Sequence, residues 1–370
     1  MKKVFLALAI MALAIACGQD GFKVKGTITD ADQLPEGAVV SLLDAATGEE
    51  IATAPIKDGK FTLSGDASNE TMYALSVTWP DKSRRDRSWM TAFVPEKGKA
   101  NLTMSKDEST LEGGAVNKAY KEFQDGIMAA STEMREKMAA LADDAKEEGE
   151  KLYDEYQDKV TELCNNAIKK NADNYVALAA LQNIIYDLDL EQLDGILEKC
   201  GKFVGENKSI KSIRDAKEAE MNTAEGKPFV DFSGKTPEGA DIKLSDIVGK
   251  GRWVLADFWA SWCGPCMREV PNIKKTHSTL SGKDFTVLGI AVWDGDEDGG
   301  NSKSLAKMQE MGMTWPQIFV GNDRTATEVY GIVGIPTMIL FAPDGTICKR
   351  GEGLRGEDMP KIVGDIIKKK

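Results

Sequence analysis

The hydrophobic pattern of this chain changes its period twice, and those changes limit what it can fold into more than any other feature. Over residues 21–111 the runs FKVKGTITD, AVVSLLDA, EIATAPIKD, KFTLSGD, MYALSVTW and WMTAFVPE alternate apolar and polar residues between turn signals, among them Asp58-Gly59. Period two over short, evenly spaced runs predicts half-buried strands, and hence an all-β sandwich or barrel. Over residues 112–223 the period lengthens to three and four, in stretches rich in Ala, Leu, Glu and Lys such as EEGEKLYDEYQDKVTELCNNAIKK. That predicts a helical connector of four or five helices, with Asn174 as an N-cap and Gly201 as a stop. Over residues 226–370 strand and helix signals alternate. WVLADFWA, FTVLGIAVW and QIFV are strands, PCMREVPNIKKTHSTL is a helix interrupted at Pro271, and TMILFAP-DG-TICKRGEG is a hairpin. The alternation predicts an α/β sheet covered on both faces, and the hairpin makes that sheet mixed.

The 370 residues are 42% hydrophobic and 29% charged, a globular balance with material for more than one core. A net charge of −12 repels phosphate backbones, which argues against nucleic acid as a partner.

The N-terminus, MKKVFLALAIMALAIACGQD, joins Lys2 and Lys3 to an apolar run over residues 4–16. That run is too short to span a bilayer and has the length of a signal-peptide core. Because LAIA leads directly into Cys17, the segment resembles a bacterial lipoprotein signal. Residues 1–16 would be removed and Cys17 lipidated, although Ala14 stands where Leu is usual and Ile15 where a smaller residue is common. An ordinary secretory signal is the alternative. Both send the chain out of the cytoplasm, to the cell envelope, facing the periplasm or the outer membrane. No later stretch approaches the roughly 18 apolar residues of a spanning helix, so the lipid is the expected membrane anchor.

In an oxidising compartment the cysteines matter. Of six, removal of Cys17 to lipidation leaves Cys164, Cys200, Cys263, Cys266 and Cys348, an odd set. Cys164 and Cys200 fall in the helical block, either as buried small hydrophobes or as a disulfide between helices. Cys348 lies on a hairpin strand as a packed thiol. Cys263 and Cys266 stand in DFWASWCGPCMREVP, a spacing that suits half a metal site, a structural disulfide or a reversible redox pair. A zinc site needs four ligands, and His277 is the only histidine. A three-residue loop restrains the unfolded chain little. At a strand-to-helix junction, by contrast, the Cys263 sulfur meets the helix dipole and free N–H groups, which favour thiolate. The redox reading follows: Cys263 attacks and Cys266, one turn on, resolves the mixed disulfide.

FWASWCGPC followed by REVP, with GIPTMILFAPDGTI further on, resembles the thioredoxin superfamily. With the lead-in GKPFVDFSGKTPEGADIKLSDIVGKGRWVLADFWASWC, residues 227–367 are similar to the TlpA/ResA-like thiol–disulfide oxidoreductases, membrane-anchored enzymes that work outside the cytoplasm. The β-domain resembles, more weakly, one that precedes the thioredoxin fold in bacterial lipoproteins. The helical block resembles no family. The resemblance implies a C-terminal α/β thioredoxin fold, with Pro336 as the cis-proline beside the thiols and Ile335 presenting its backbone to a substrate peptide. Trp262, Gly264 and Pro265 complete the substrate-facing set. It implies no cofactor beyond the redox-active disulfide, and no metal.

Asp257, a carboxylate inside an apolar strand, is a costly placement without a partner. It matches the buried Asp of thioredoxin, which exchanges protons with the resolving cysteine. Glu269 matches an acidic residue that the ResA-like branch keeps near its thiols, or else is a solvated helix residue. That branch commonly carries Asn at the Asp257 position, so this chain combines both acids. Gly264-Pro265 is the dipeptide of reducing thioredoxins, at one end of a scale spanning about 150 mV. The expected activity is therefore reduction of disulfides in exported proteins, with electrons from a membrane thiol donor. An oxidase or isomerase using the same pair is the alternative, as is a surface binding lipoprotein with an accessory redox domain. The first 200 residues offer surface for clients or for a homodimer. Finally, DGDEDGG (residues 294–300) matches the opening of an EF-hand loop but has Leu305 where the twelfth-position Glu is required, which favours a solvated acidic loop over calcium. A peroxidase would want Thr or Ser before its cysteine, and Trp262 stands there.

Overall fold

The computed structural model describes residues 21–83, 86–142, 145–280, 284–297 and 299–369. The expected signal segment and Cys17 lie outside them. The chain forms two compact units that meet in sequence at Ile210 and Lys211.

The first unit begins with eight strands: β1 (Gly21–Ile28), β2 (Val39–Asp44), β3 (Glu50–Pro55), β4 (Lys60–Asp66), β5 (Tyr73–Thr78), β6 (Met90–Phe93), β7 (Gly98–Met104) and β8 (Ser109–Glu112). They pair into two four-stranded sheets, β4-β1-β7-β8 and β3-β2-β5-β6, which makes a sandwich rather than a barrel. One core fills the space between them. Phe22, Val24, Leu63 and Leu102 from one sheet meet Val40, Leu42, Leu75 and Phe93 from the other. Alternation puts these residues inside, as in β7, where Ala100, Leu102 and Met104 are buried and their neighbours exposed. The pairing is antiparallel except between β1 and β7, which run parallel. Asp58 and Gly59 both adopt positive φ, 50° and 69°, the geometry of the two-residue hairpin that turns β3 into β4.

Helices α1 (Ala115–Ala139), α2 (Lys146–Lys170), α3 (Tyr175–Ile184), α4 (Leu190–Leu197) and α5 (Lys202–Gly205) complete this unit, and α6 (Lys208–Asn222) crosses into the next. Asn174 caps α3, its side chain accepting from Val176 N at 2.8 Å. Gly201 differs from its expected role. With φ −78° it is not a left-handed stop but the residue that opens α5. A side chain there would collide with Asp173, whose Oδ1 accepts from Phe203 N at 2.8 Å. Asn117 at the start of α1 holds the helices to the sandwich: it accepts from Val94 N at 2.9 Å, and its Nδ2 donates to Val94 O at 2.7 Å.

The second unit is a seven-stranded mixed sheet with helices on both faces. Its elements are β9 (Ser233–Lys235), β10 (Asp241–Lys243), β11 (Trp253–Trp259), α7 (Gly264–Leu280), β12 (Phe285–Val292), α8 (Ser302–Glu310), β13 (Gln317–Gly321), α9 (Thr325–Val329), β14 (Thr337–Phe341), β15 (Ile347–Arg350) and α10 (Met359–Lys369). Strand order is β10-β9-β13-β12-β11-β14-β15. β11, β12 and β13 run parallel, while β14 pairs antiparallel with β11. Central β11 is buried at every residue. Trp253, Leu255 and Trp259 pack with Val270 and Ile273 of α7 and Val363 of α10. Val254, Ala256 and Phe258 pack on the other face with Phe232, Tyr330 and Phe341. The Tyr330 hydroxyl accepts from Val230 N and donates to Val230 O, at 3.0 and 2.8 Å.

Asn117→Ala would strand the N–H of Val94, which is fully buried, while Val94 O keeps its bond from Glu96 N. The first unit is expected to lose about 1–3 kcal/mol, read as a lower urea midpoint.

Candidate active site

β11 runs directly into the cysteines. Within a strand successive side chains alternate faces, so Asp257 shares with Leu255 and Trp259 the face that α7 covers. The chain then turns, Cys263 N donating to Ala260 O at 3.1 Å, and Gly264 begins α7. Cys263 and Cys266 are joined by a disulfide. Cys266 N donates to Cys263 Sγ at 3.1 Å, so an N–H of the first helical turn points at the sulfur. That contact and the helix dipole stabilise negative charge on Cys263 once the bond is reduced.

The pair is shielded, and exposed residues adjoin it in sequence. Cys263 is 3% and Cys266 1% exposed, whereas Trp262 is 62% and Val333 61% exposed. Gly264 and Pro265 are exposed, and Ile335 is half-buried. Ile335-Pro336 is cis, and Ile335 O lies 3.8 Å from Cys263 Sγ. The expected residues from two distant parts of the chain, 262–266 and 335–336, therefore meet at one sulfur. Exposed Trp262, next to Cys263, and the Ile335 carbonyl at its sulfur are the features an extended peptide could meet.

The turn before the cysteines is anchored by a residue whose part the sequence did not reveal. Asp294, 4% exposed, accepts from Ser261 N and Ser261 Oγ, both at 2.8 Å, and from Ser304 Oγ at 2.7 Å. Trp262 Nε1 adds a bond to Trp293 O at 3.2 Å. The reading of the 294–300 segment as a solvated acidic loop is corrected at Asp294, which is buried and fully engaged within the protein. Asp296 likewise accepts from Ser302 N at 2.7 Å. Among the described residues no group of three or more His, Cys, Asp and Glu side chains could hold a metal ion.

Asp257 is 2% exposed, and burial pushes its carboxyl up to about 7, with the nearby Glu269 charge adding to the rise and Arg355 opposing it. Glu269 is half-buried and tethered, its Oε2 accepting from Asn272 Nδ2 and from Gly356 N, both at 3.0 Å. It is thus no freely solvated helix residue, and it lies close enough for Asp257 to feel its charge. Cys164, Cys200 and Cys348 are free thiols, not a disulfide and a leftover. Burial pushes Cys164 up to about 11 and raises Cys200 as well, with Asp173 adding to the latter. Both stay protonated and unreactive at neutral pH.

Asp257 has a consequence for stability. Its carboxyl ionises near 4 in an unfolded chain and near 7 in the fold, so the folded state holds an extra proton between those values. The stability contributed by the Asp257 proton is full below about pH 4 and is lost as pH rises toward 7. Asp257→Asn removes that loss. The variant should gain about 2–4 kcal/mol on the native protein between pH 4 and pH 8 in urea titrations.

Residues 226–350 match the AhpC/TSA family, and residues 22–120 match a domain of unknown function, DUF4369. The thiol-disulfide oxidoreductase ResA of Bacillus subtilis (strain 168) is 28% identical over 147 residues, 39% of this chain and 76% of that protein. The thioredoxin-like protein YneN of the same organism is 27% identical over 35% of this chain and 71% of its own length. The solution structure of a thiol:disulfide interchange protein from Bacteroides sp. is 30% identical, covering 40% of this chain and 93% of that one, with a TM-score of 0.35.

Proposed function

From a chain whose C-terminal domain is a thioredoxin-like member of the AhpC/TSA family, a thiol–disulfide oxidoreductase related to ResA, we infer a reductase of disulfides in exported proteins. The observation that carries this reading is the Cys263–Cys266 pair at the start of α7, with exposed Trp262 beside it in sequence and Ile335 O at the Cys263 sulfur. The N-terminal segment ending at Cys17 supports export and attachment to the cell envelope through a lipid. Among the described residues no helix is long and apolar enough to cross a membrane.

The chemistry starts from the reduced pair. The Cys263 thiolate, stabilised by the Cys266 N–H, attacks one sulfur of a substrate disulfide. A mixed disulfide forms, and the displaced substrate sulfur leaves as thiolate and takes a proton from water. Asp257 then accepts the Cys266 thiol proton, and the Cys266 thiolate attacks Cys263 Sγ. The second substrate sulfur departs. Two electrons have passed to the substrate, and the enzyme is left as the disulfide seen here. A thiol donor at the membrane restores the dithiol. Because Asp257 accepts only when ionised, the second step gains speed as pH rises through about 7. Gly264-Pro265 favours the reducing direction.

Cys266→Ser should stall the first step and hold clients as mixed disulfides that dithiothreitol releases, whereas Cys263→Ser should hold none. A variant that captures no client would favour a binding protein with an accessory redox domain. The equilibrium potential of the pair, followed by Trp fluorescence against glutathione, should fall near −270 mV, the thioredoxin end of the range. A value near −120 mV would instead assign an oxidase or isomerase.

A further inference from the structure

One row across the centre of the C-terminal sheet contains Asp257 of β11, Gly289 of β12 and Gln317 of β13. Residues in register on parallel strands face the same side of a sheet. Asp257 and Gln317 therefore face the same side with no side chain between them, since Gly289 has none. The Gln317 amide occupies the space: a Cβ on residue 289 would stand 2.0 Å from Oε1 and 2.6 Å from Nε2 and collide with both. Both residues are 2% exposed. Trp259, two residues beyond Asp257 on the same face of β11, donates from Nε1 to Gln317 Oε1 at 3.1 Å. That bond orients the amide, engaging its oxygen with the indole and leaving Nε2 as a donor. Gln317 Nε2 and Asp257 Oδ1 are both buried without a hydrogen-bond partner among the described residues. A buried donor and a buried acceptor are thus left unmatched on either side of a glycine, where each is costly alone.

We propose that Gln317 is a positioning residue for the proton step, its Nε2–H group hydrogen-bonding the ionised Asp257 carboxylate directly or across one water molecule. The inference rests on Asp257 as the acceptor of the Cys266 proton. In that step Cys266 loses a proton to Asp257, and the thiolate left behind displaces the substrate sulfur from Cys263. The carboxylate is charged before the step and neutral after it, so a donor that bonds its charged form weakens its hold on the proton. The charged groups acting on Asp257 come from the helical side: Glu269 on α7, and Arg355 ahead of α10. The neighbouring strands contribute Gly289, Gln317 and Met338 to the row, none of them ionisable. Gln317 thus acts by a hydrogen bond and adds no charge of its own.

The test uses the full mature chain in its reduced form. Nitrogen-15 NMR of the native protein should show the Gln317 side-chain NH₂ signal moving with pH, with its inflection at the Asp257 titration. The movement should vanish in Asp257→Asn. In Gln317→Met, confirmed as folded by its thermal transition, the midpoint of the pH–rate profile for disulfide exchange should rise by about one unit, tenfold in proton affinity. In an Asp257→Asn background the same substitution should move no midpoint. A pH-independent Gln317 signal, or an unchanged midpoint in a folded Gln317→Met variant, overturns the inference. If the Met variant does not fold, the native titration decides alone. Failure of the Asp257 reading is separable, because it would appear as an Asp257→Asn single variant whose exchange profile matches the native one.

Discussion

Burial of strand Trp253–Trp259 on both faces is the constraint on which the redox domain depends. Its odd residues complete the core beneath α7 and its even residues the core on the opposite side. Pairing to β12 and β14 places it at the middle of the sheet, where it has little freedom to shift. The chain leaves this strand at a fixed height and direction, and the helix that follows starts within five residues. A cysteine at that junction is held with a helical N–H against its sulfur. The site is rigid because the strand beneath it is.

The same strand also carries the largest electrostatic liability of the domain. A carboxyl on a fully buried strand face is destabilised when charged, and a second carboxyl nearby adds to the penalty. The result is a group whose proton affinity lies close to neutrality, on the face of the strand whose core also holds the two cysteines. The surroundings of Asp257 divide accordingly. Ionisable groups approach it from α7 and from Arg355, while the neighbouring strands offer only neutral atoms. Asp294 has the opposite character: it is also buried, but it accepts three hydrogen bonds and serves to fasten the turn before Cys263. Two buried aspartates thus differ in kind: Asp294 is held by three hydrogen bonds, while Asp257 Oδ1 has no hydrogen-bond partner among the described residues.

Much of this was legible in the residues. Period-two runs marked β1 to β6, and longer periods marked the helices, because a buried face imposes its spacing on the chain. The short exposed strands β9 and β10 leave no pattern, since neither buries enough apolar surface. The role of Gly201 is not legible locally, because glycine serves both left-handed stops and tight approaches, and only the proximity of Asp173 tells which applies. Nothing local marks Asp294 as buried, because its neighbours are acidic and its partners, Ser261 and Ser304, lie far off in sequence or on another element.

The sequence by itself determined the reactive pair, the strand-to-helix junction that activates it, and the buried carboxylate of Asp257, because each depends on residue types at short, fixed spacing. Only the tertiary structure decided which residues stand around them. Ile335 reaches Cys263 across 72 positions, and Gly289 and Gln317 come beside Asp257 through strand order. Glu269 is tethered by Gly356, 87 positions away. Such contacts arise from how strands pair and helices cover them, and no local pattern of side chains records that order.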